Sequence, residues 1–277
     1  MTSVTVGDLV FDVRVGGPAD ATPVVLLHGF PQTSLAWQGV WPRLIAAGYR
    51  VLAPNQRGYS PGARPEDVSA YAIPCLVADV IGILDALGIE RAHVVGHDWG
   101  AAIAWQVAAR HPDRVRSLVA VSVPHPGAFA AALRSDEDQR RRSRYIQAWQ
   151  EKGVTEDALL GDGQGSLRAM LAQVPPEHAT AYLDLLGQPG VLTKALNYYR
   201  ALSFEDFAEA GVITVPTMHV WSDQDIALGP TAAHATGEWV TAPYRFEVLT
   251  GVSHWVPETA APALSDLLVE HLGTYPD

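Results

Sequence analysis

The sequence predicts an α/β protein: a mostly parallel, twisted sheet with helices on both faces. Strand-like and helix-like segments alternate along the chain, the strand-like segment at residues 24–28 is a continuous apolar run, and a helical insertion interrupts the alternation once. Continuous apolar runs are typical of strands buried on both faces of a parallel sheet. The chain has 277 residues, a length that suits one large α/β domain.

The first half of the chain supplies most of the alternation. Residues 2–15 alternate apolar and polar side chains around Gly7-Asp8, which predicts a β-hairpin. Strands are then expected at residues 24–28, 50–53, 93–97 and 115–122, and helices at residues 37–47, 75–87 and 101–110. Strands alternating with helices in this way favour parallel pairing.

The second half begins with the insertion. Residues 125–209 contain no clear buried strand and have helical stretches near 145–150 and 178–186. Strands at 212–221 and 245–249 and a last helix at 260–272 follow. An insertion after the carboxyl end of a strand lies over the ligand crevice of such a sheet. We therefore expect residues 125–209 to form a helical lid on a core made of residues 1–124 and 210–277.

Composition excludes several classes of protein. Hydrophobic residues make up 48% and charged residues 18%, as in globular proteins, and the formal net charge is -11. Such a charge argues against nucleic acid or an anionic membrane as the main partner. Cys75 is the single cysteine, and neither a signal-peptide pattern nor a membrane-length apolar run is visible. We expect a cytoplasmic protein, while the oligomeric state stays open.

The most informative segment surrounds Asp98. Gly96-His97-Asp98-Trp99-Gly100 follows a predicted strand and opens a predicted helix, which is the setting of a nucleophile elbow. Small residues at Gly96 and Gly100 let the strand and helix approach closely. A carboxylate is ionised at neutral pH and can attack an alkyl carbon without a base. The alternative is a turn aspartate that caps the next helix.

An aspartate nucleophile needs a partner that drives water onto its ester. His254 follows the predicted 245–249 strand and is the expected base. Asp223 and Asp225 both follow the preceding predicted strand, and we favour Asp225 as the acid that orients the imidazole. The order nucleophile, acid, histidine matches a known triad order. The alternatives are a surface histidine and turn-capping aspartates.

A tetrahedral oxyanion forms when water attacks the ester, and it needs hydrogen-bond donors. His28-Gly29-Phe30-Pro31 directly follows a predicted buried strand, and a loop in that place supplies one donor, while the residue after the nucleophile supplies the other. The backbone N–H groups of Phe30 and Trp99 are therefore expected to form the oxyanion hole.

With these residues in place, the chain resembles a soluble-type epoxide hydrolase of the α/β-hydrolase fold superfamily, in its aspartate-nucleophile branch. The resemblance covers nearly the whole chain and rests on the HGFP turn, the elbow, Ser253-His254-Trp255 and the less specific stretch Arg57-Gly58-Tyr59. It implies an epoxide substrate that is hydrolysed with water to a diol.

The resemblance also implies two lid tyrosines that donate hydrogen bonds to the epoxide oxygen. The segments around Tyr145 and Tyr199 resemble those that carry them, and a phenol stays protonated at neutral pH. The alternative is two ordinary packing aromatics. The expected substrate-binding residues are His28, Phe30, Pro31, Trp99, Tyr145, Tyr199 and Trp255.

Other functions remain as alternatives. A haloalkane dehalogenase shares the fold and the aspartate, but often carries Asn where this chain has Phe30. Fluoroacetate dehalogenases carry Arg where it has Trp99. Asp98 disfavours a serine esterase, and a binding protein that lost turnover stays possible on this fold. The stretch 161–165 lacks the context of a phosphate-binding loop, so we expect no cofactor and no metal.

Overall fold

The computed structural model describes residues 1–276, with the backbone alone for Asp206. Its eight strands form one sheet. The strands are β1 (Thr2–Val6), β2 (Leu9–Gly16), β3 (Pro23–Leu27), β4 (Arg50–Pro54), β5 (Ala92–His97), β6 (Val115–Val121), β7 (Thr217–Gln224) and β8 (Tyr244–Ser253).

The helices between the strands fall into three groups. The first three are α1 (Trp41–Ala46), α2 (Ile73–Ala86) and α3 (Trp99–Arg110). Between β6 and β7 lie α4 (Pro126–Ser135), α5 (Glu137–Arg142), α6 (Arg144–Ala148), α7 (Val154–Met170), α8 (Pro176–Leu186), α9 (Val191–Arg200) and α10 (Phe204–Ala208). The last are α11 (Pro230–Ala235), α12 (Val256–Thr259) and α13 (Ala261–Thr274).

The sheet order is β1-β2-β4-β3-β5-β6-β7-β8. β2 pairs antiparallel with β1 and β4, and each later pair is parallel. The chain therefore starts with the predicted hairpin and continues into the predicted parallel sheet. Because β5 lies between β3 and β6, the loops after β3 and β5 open at the same edge of the sheet.

Two hydrophobic clusters sandwich the sheet. One packs α1 and α13 on one face through residues such as Leu44, Leu264 and Leu268. The other packs α2 and α3 on the opposite face and continues into the inserted helices, where Tyr182 and Leu186 belong to it. The two-faced burial explains why β3 is an apolar run rather than an alternating one.

Several predicted boundaries were wrong. The expected strand at 212–221 begins only at Thr217, because Val212 is 50% exposed and Ile213 makes an isolated bridge to Val240. The expected helix at 37–47 is a short 3₁₀ turn (Ser34–Trp37) followed by α1, which has Pro42 in its first turn. α7 is broken at residues 161–164, where Asp162 has a positive φ.

None of the helices in residues 1–276 combines the length and apolar content that a bilayer crossing requires.

Candidate active site

Asp98 stands at the turn between β5 and α3. Its backbone has φ 52° and ψ -123°, a conformation that L residues rarely adopt and that other parts of the structure must stabilise. A Cβ at Gly96 would collide with the backbone of Gly100, and one at Gly100 would collide with the backbone of Leu27. The predicted need for glycine at both positions is therefore confirmed.

The carboxylate of Asp98 faces the loop after β3. The backbone N–H of Phe30 donates to its Oδ1 at 2.8 Å, and the backbone N–H of Trp99 also donates to the carboxylate. Asp98 occupies the N-cap position of α3 without making a side-chain capping bond to that helix. The two amides expected to form an oxyanion hole therefore converge on one buried carboxylate, and capping does not explain its position.

Burial and charge act in opposite directions on Asp98. Burial alone would raise its pKa, but the hydrogen bond and charge of His254 and the Trp99 amide outweigh burial and lower the pKa. Asp98 is thus ionised at neutral pH.

His254 lies between two carboxylates. Its Nδ1 is 2.7 Å from Oδ2 of Asp225, and its Nε2 is 3.5 Å from Oδ2 of Asp98. Burial lowers the pKa of His254, but the charge and hydrogen bond of Asp225, followed by those of Asp98, raise it to about 10. The imidazole therefore carries a proton at neutral pH while both carboxylates are charged.

Asp223 lies near the end of β7 and Asp225 directly follows it, and the two have different surroundings. Asp225 is buried, and its Oδ1 accepts the backbone N–H groups of Ala227 at 2.8 Å and Leu228 at 3.0 Å. Asp223 instead accepts the backbone N–H of Gly251 in β8 at 2.7 Å, at an exposed position. The structure thus brings Asp225, and not Asp223, to the imidazole.

Tyr145 and Tyr199 come from α6 and α9 of the inserted helices. Their ring centroids are 6.1 Å apart, and that of Tyr199 lies 5.1 Å from Trp99. Burial first, and then the charge of Asp98, raises the pKa of both phenols, so both stay protonated. The neighbouring Tyr198 points elsewhere and donates to the backbone oxygen of Arg57 at 2.8 Å.

Two cavities meet at Asp98, Tyr145 and Tyr199, and all three residues line both of them. The smaller has a volume of about 60 Å³ and the larger about 270 Å³. Trp99 lines the smaller cavity, while Phe30, His254 and Trp255 line the larger one. An apolar molecule at this junction would touch the carboxylate and the two phenols together.

Two expected substrate-binding residues lie away from this junction. His28 is buried below the turn, where its Nδ1 is 2.9 Å from the oxygen of Gly29 and its Nε2 accepts the N–H of Gln56 at 3.1 Å. Neither His28 nor Pro31 is among the described residues that line the two cavities. The Phe30–Pro31 peptide bond is cis. Both residues belong to the loop whose Phe30 amide bonds to Asp98.

A buried polar network that no sequence pattern predicted lies behind His254. Nε2 of His97 lies 2.8 Å from the backbone oxygen of His254, and its Nδ1 lies 3.0 Å from Oε1 of Gln32. Nε2 of Gln32 donates to Glu258 at 2.5 Å, and the hydroxyl of Tyr182 donates to the same carboxylate at 2.8 Å. This network connects the loop that carries His254 to α8. No sequence motif marks Glu258 or Tyr182.

Trp149 is a second residue of the site that was not predicted from the sequence. Its ring centroid lies 5.1 Å from Phe30, 4.8 Å from Tyr145 and 4.9 Å from Tyr199, and it lines the larger cavity. The sequence spacing could have indicated Trp149, because it follows Tyr145 by four residues and so shares its helix face. Within residues 1–276, no group of three or more His, Cys, Asp or Glu side chains is arranged to hold a metal ion.

The sequence is similar to that of proteins of a known family. A family model described as alpha/beta hydrolase fold matches residues 22–261. The chain is 34% identical to epoxide hydrolase A of Mycobacterium tuberculosis over 94% of this chain and 92% of the relative. It is 32% identical to the AB hydrolase superfamily protein YfhM of Bacillus subtilis over 97% of this chain and 96% of that protein.

A solved structure of an epoxide hydrolase has the same fold. The crystal structure of epoxide hydrolase A from Mycobacterium thermoresistibile superimposes with a TM-score of 0.86 at 29% identity, covering 98% of this chain and 97% of that one. The sheet order, the turn at Asp98 and these similarities lead to one conclusion: the chain belongs to the α/β-hydrolase fold family, in the branch that contains the epoxide hydrolases.

Proposed function

We propose that this chain hydrolyses epoxides to vicinal diols in two steps, through an ester on Asp98. One observation carries the proposal: an ionised carboxylate, held by two backbone amides, lines the same cavities as two protonated tyrosines. An epoxide presents an alkyl carbon to a nucleophile and an oxygen to an acid, and this junction offers both groups.

In the first step, Oδ2 of Asp98 attacks a ring carbon, since Oδ1 is engaged by the Phe30 amide. A carbon–oxygen bond forms to Asp98, and the ring carbon–oxygen bond breaks. Tyr145 and Tyr199 donate to the ring oxygen as negative charge develops there. A hydrogen bond from the Trp99 side chain to Tyr199 leaves the Tyr199 hydroxyl proton available for the substrate.

The second step needs a neutral imidazole. Ester formation removes the negative charge of Asp98, which is one of the groups that raise the pKa of His254. The pKa of His254 then falls, and the proton it releases balances the proton taken up by the alkoxide. Neutral His254 deprotonates water, which attacks the ester carbonyl. The amides of Phe30 and Trp99 stabilise the resulting oxyanion. As it collapses, the ester bond to the substrate oxygen breaks, that oxygen takes the second proton of the water, and the diol leaves the restored Asp98 carboxylate while His254 keeps the first proton.

We assign residues 125–209 to the lid and residues 1–124 and 210–277 to the core. Tyr145 and Tyr199 come from the lid, and Asp98 and His254 come from the core, so both parts are needed for the reaction. We infer a cytoplasmic location from the single cysteine, Cys75. The proposed partners are a small epoxide and water.

The placement of Trp99 argues against dehalogenation. A dehalogenase would need the indole N–H of Trp99 free for a halide, whereas the Trp99 side chain here makes a hydrogen bond with Tyr199. Phe30 has no side-chain donor to offer as a second halide ligand.

The test is a side-by-side turnover panel. Purified protein is mixed with aryl and alkyl epoxides and, separately, with 1-haloalkanes; diol is measured by chromatography and halide by ion analysis. We expect diol from the epoxides and no halide above the level seen with Asp98→Asn. Halide release without diol would show that the chain is a dehalogenase and not an epoxide hydrolase. Binding of epoxides without any product would favour a non-catalytic binding protein.

A further inference from the structure

The two cavities at Asp98 differ in chemistry. We call the smaller one the first limb and the larger one the second limb. Beyond the shared residues, the first limb is lined by apolar side chains, including Val123, Phe129, Leu202 and Phe207. The second limb also contains Arg142 and His254, and reaches Ile226, which is 70% exposed. The first limb is therefore the smaller of the two and is apolar beyond the shared residues, while the second limb is larger and also has polar groups in its wall.

This division restricts where an epoxide can place its substituents. The reacting carbon must lie against Asp98 and the ring oxygen against Tyr145 and Tyr199, and these three residues stand where the limbs meet. Substituents on the two ring carbons then have separate limbs available. A terminal epoxide carries hydrogens alone on one carbon, so it leaves one of the two limbs unfilled.

Phe204, the first residue of α10, stands at the outer end of the first limb. It lines the first limb and also a surface groove, together with Leu133, Arg134 and Glu205. Its side chain is 41% exposed, so it faces the limb on one side and the groove on the other. Removing this ring would join the two spaces.

We propose that the preferred substrates are epoxides substituted on both ring carbons, with a short apolar substituent in the first limb whose maximum length is set by Phe204. This inference rests on the proposed function. About 10–15 Å³ accommodates one water-sized group, so about 60 Å³ accommodates roughly four carbons. The larger substituent, such as an aromatic ring, occupies the second limb.

The size of the expected effect follows from burial. Each methylene moved from water into an apolar compartment improves transition-state binding about fourfold, provided that the compartment has room. The value of kcat/KM should therefore rise with each carbon until the first limb is full, and then fall when the chain meets Phe204.

The experiment uses one substrate series. Styrene oxide is compared with trans-phenyl epoxides that carry methyl, ethyl, propyl, butyl, hexyl and octyl groups on the second carbon, and kcat/KM is measured for each. For the wild type we expect a rise of at least tenfold from hydrogen to propyl and a fall of at least tenfold between butyl and octyl.

Two variants test the role of Phe204. In Phe204→Ala the hexyl and octyl epoxides should regain at least tenfold in kcat/KM, because the chain can pass into the groove, and Phe204→Leu should be intermediate. Val212→Ala is the control: Val212 is also exposed and lines neither limb, so its profile should match the wild type. Circular dichroism establishes that each variant is folded.

The outcomes separate this inference from the function on which it rests. If wild type gives no diol from any epoxide, the proposed function fails and the inference fails with it. If wild type hydrolyses styrene oxide as well as or better than its alkyl-substituted analogues, the substrate class is wrong although the activity stands. If Phe204→Ala keeps the wild-type length limit, Phe204 does not set it and the inference is overturned.

Discussion

Asp225 and His254 are joined by a 2.7 Å contact between Oδ2 and Nδ1, and this contact turns Nε2 of the imidazole towards Asp98, 3.5 Å away. The histidine is thereby held between a carboxylate that keeps its charge throughout the proposed reaction and one that loses its charge when the ester forms. The reactivity of His254 depends on this difference.

The first prediction concerns the protonation of His254. Asp98→Asn removes the charge that ester formation would remove, so the pKa of His254 should fall from its raised value of about 10 by at least half a unit. The sign follows because a nearby anion favours the imidazolium. Histidine side-chain NMR across pH measures it, with His254→Gln identifying the signal. An unchanged pKa would show that Asp98 does not control the imidazole.

The second prediction compares the two aspartates at the carboxyl end of β7, Asp223 and Asp225. Asp225→Asn should slow turnover by about 100-fold or more, since the imidazole loses the carboxylate that orients and stabilises its cation. Asp223→Asn is the matched control, because Asp223 bonds to the exposed backbone N–H of Gly251 instead of the imidazole, and it should retain turnover within about twofold. Steady-state kinetics on one epoxide checks both. Loss of activity in Asp223→Asn alone would reverse the assignment.

The third prediction concerns the lid tyrosines. Tyr199→Phe should slow ester formation by about 100- to 10,000-fold, the usual value of general acid assistance, and Tyr145→Phe should also slow it. Tyr198→Phe is the control, since its hydroxyl bonds to the backbone of Arg57 instead. Single-turnover stopped flow with excess enzyme isolates this step. Wild-type rates in the Tyr145→Phe/Tyr199→Phe double variant would remove the tyrosines from the mechanism.

The fourth prediction concerns Glu258, whose side chain is fully buried. Glu258→Ala leaves the Nε2 group of Gln32 and the hydroxyl of Tyr182 without their acceptor. Each unsatisfied buried donor costs about 1–3 kcal/mol, so the free energy of unfolding should fall by about 2–6 kcal/mol. Urea unfolding measures it, and exposed Glu238→Ala should leave it unchanged within about 0.5 kcal/mol. Equal stability of the two variants would mean that the network does not contribute.

Sequence patterns predicted much of the fold and of the site because local chemistry marks those residues. The elbow is visible because Gly96 and Gly100 are sterically required, and the sheet is visible because strands buried on both faces have no polar alternation. Asp225 was favoured over Asp223, although both follow the predicted strand, and Asp225 is the one that lies 2.7 Å from the imidazole. Strand β7 was placed too early, since residues 212–216 are apolar enough to resemble a strand although Val212 is half exposed.

The remaining features depend on contacts between distant segments. Glu258 and Tyr182 are 76 residues apart, and neither carries a local pattern that reveals the other. His28 belongs to the most recognisable turn of the chain, yet its ring points into the core rather than to the cavities. The division into two limbs follows from how α6, α9 and α10 pack on the core, which periodicity does not encode.

Intact-protein mass spectrometry of His254→Ala directly tests whether the Asp98 ester forms before His254 acts. If Asp98 attacks carbon first, this variant opens one epoxide per molecule and stalls, so its mass increases by one substrate. Peptide mapping then places the adduct on the peptide that contains Asp98, and none forms in the Asp98→Asn/His254→Ala double variant. A folded His254→Ala variant that binds the epoxide but gains no mass, under conditions in which the wild type turns over, would contradict the proposed ester mechanism.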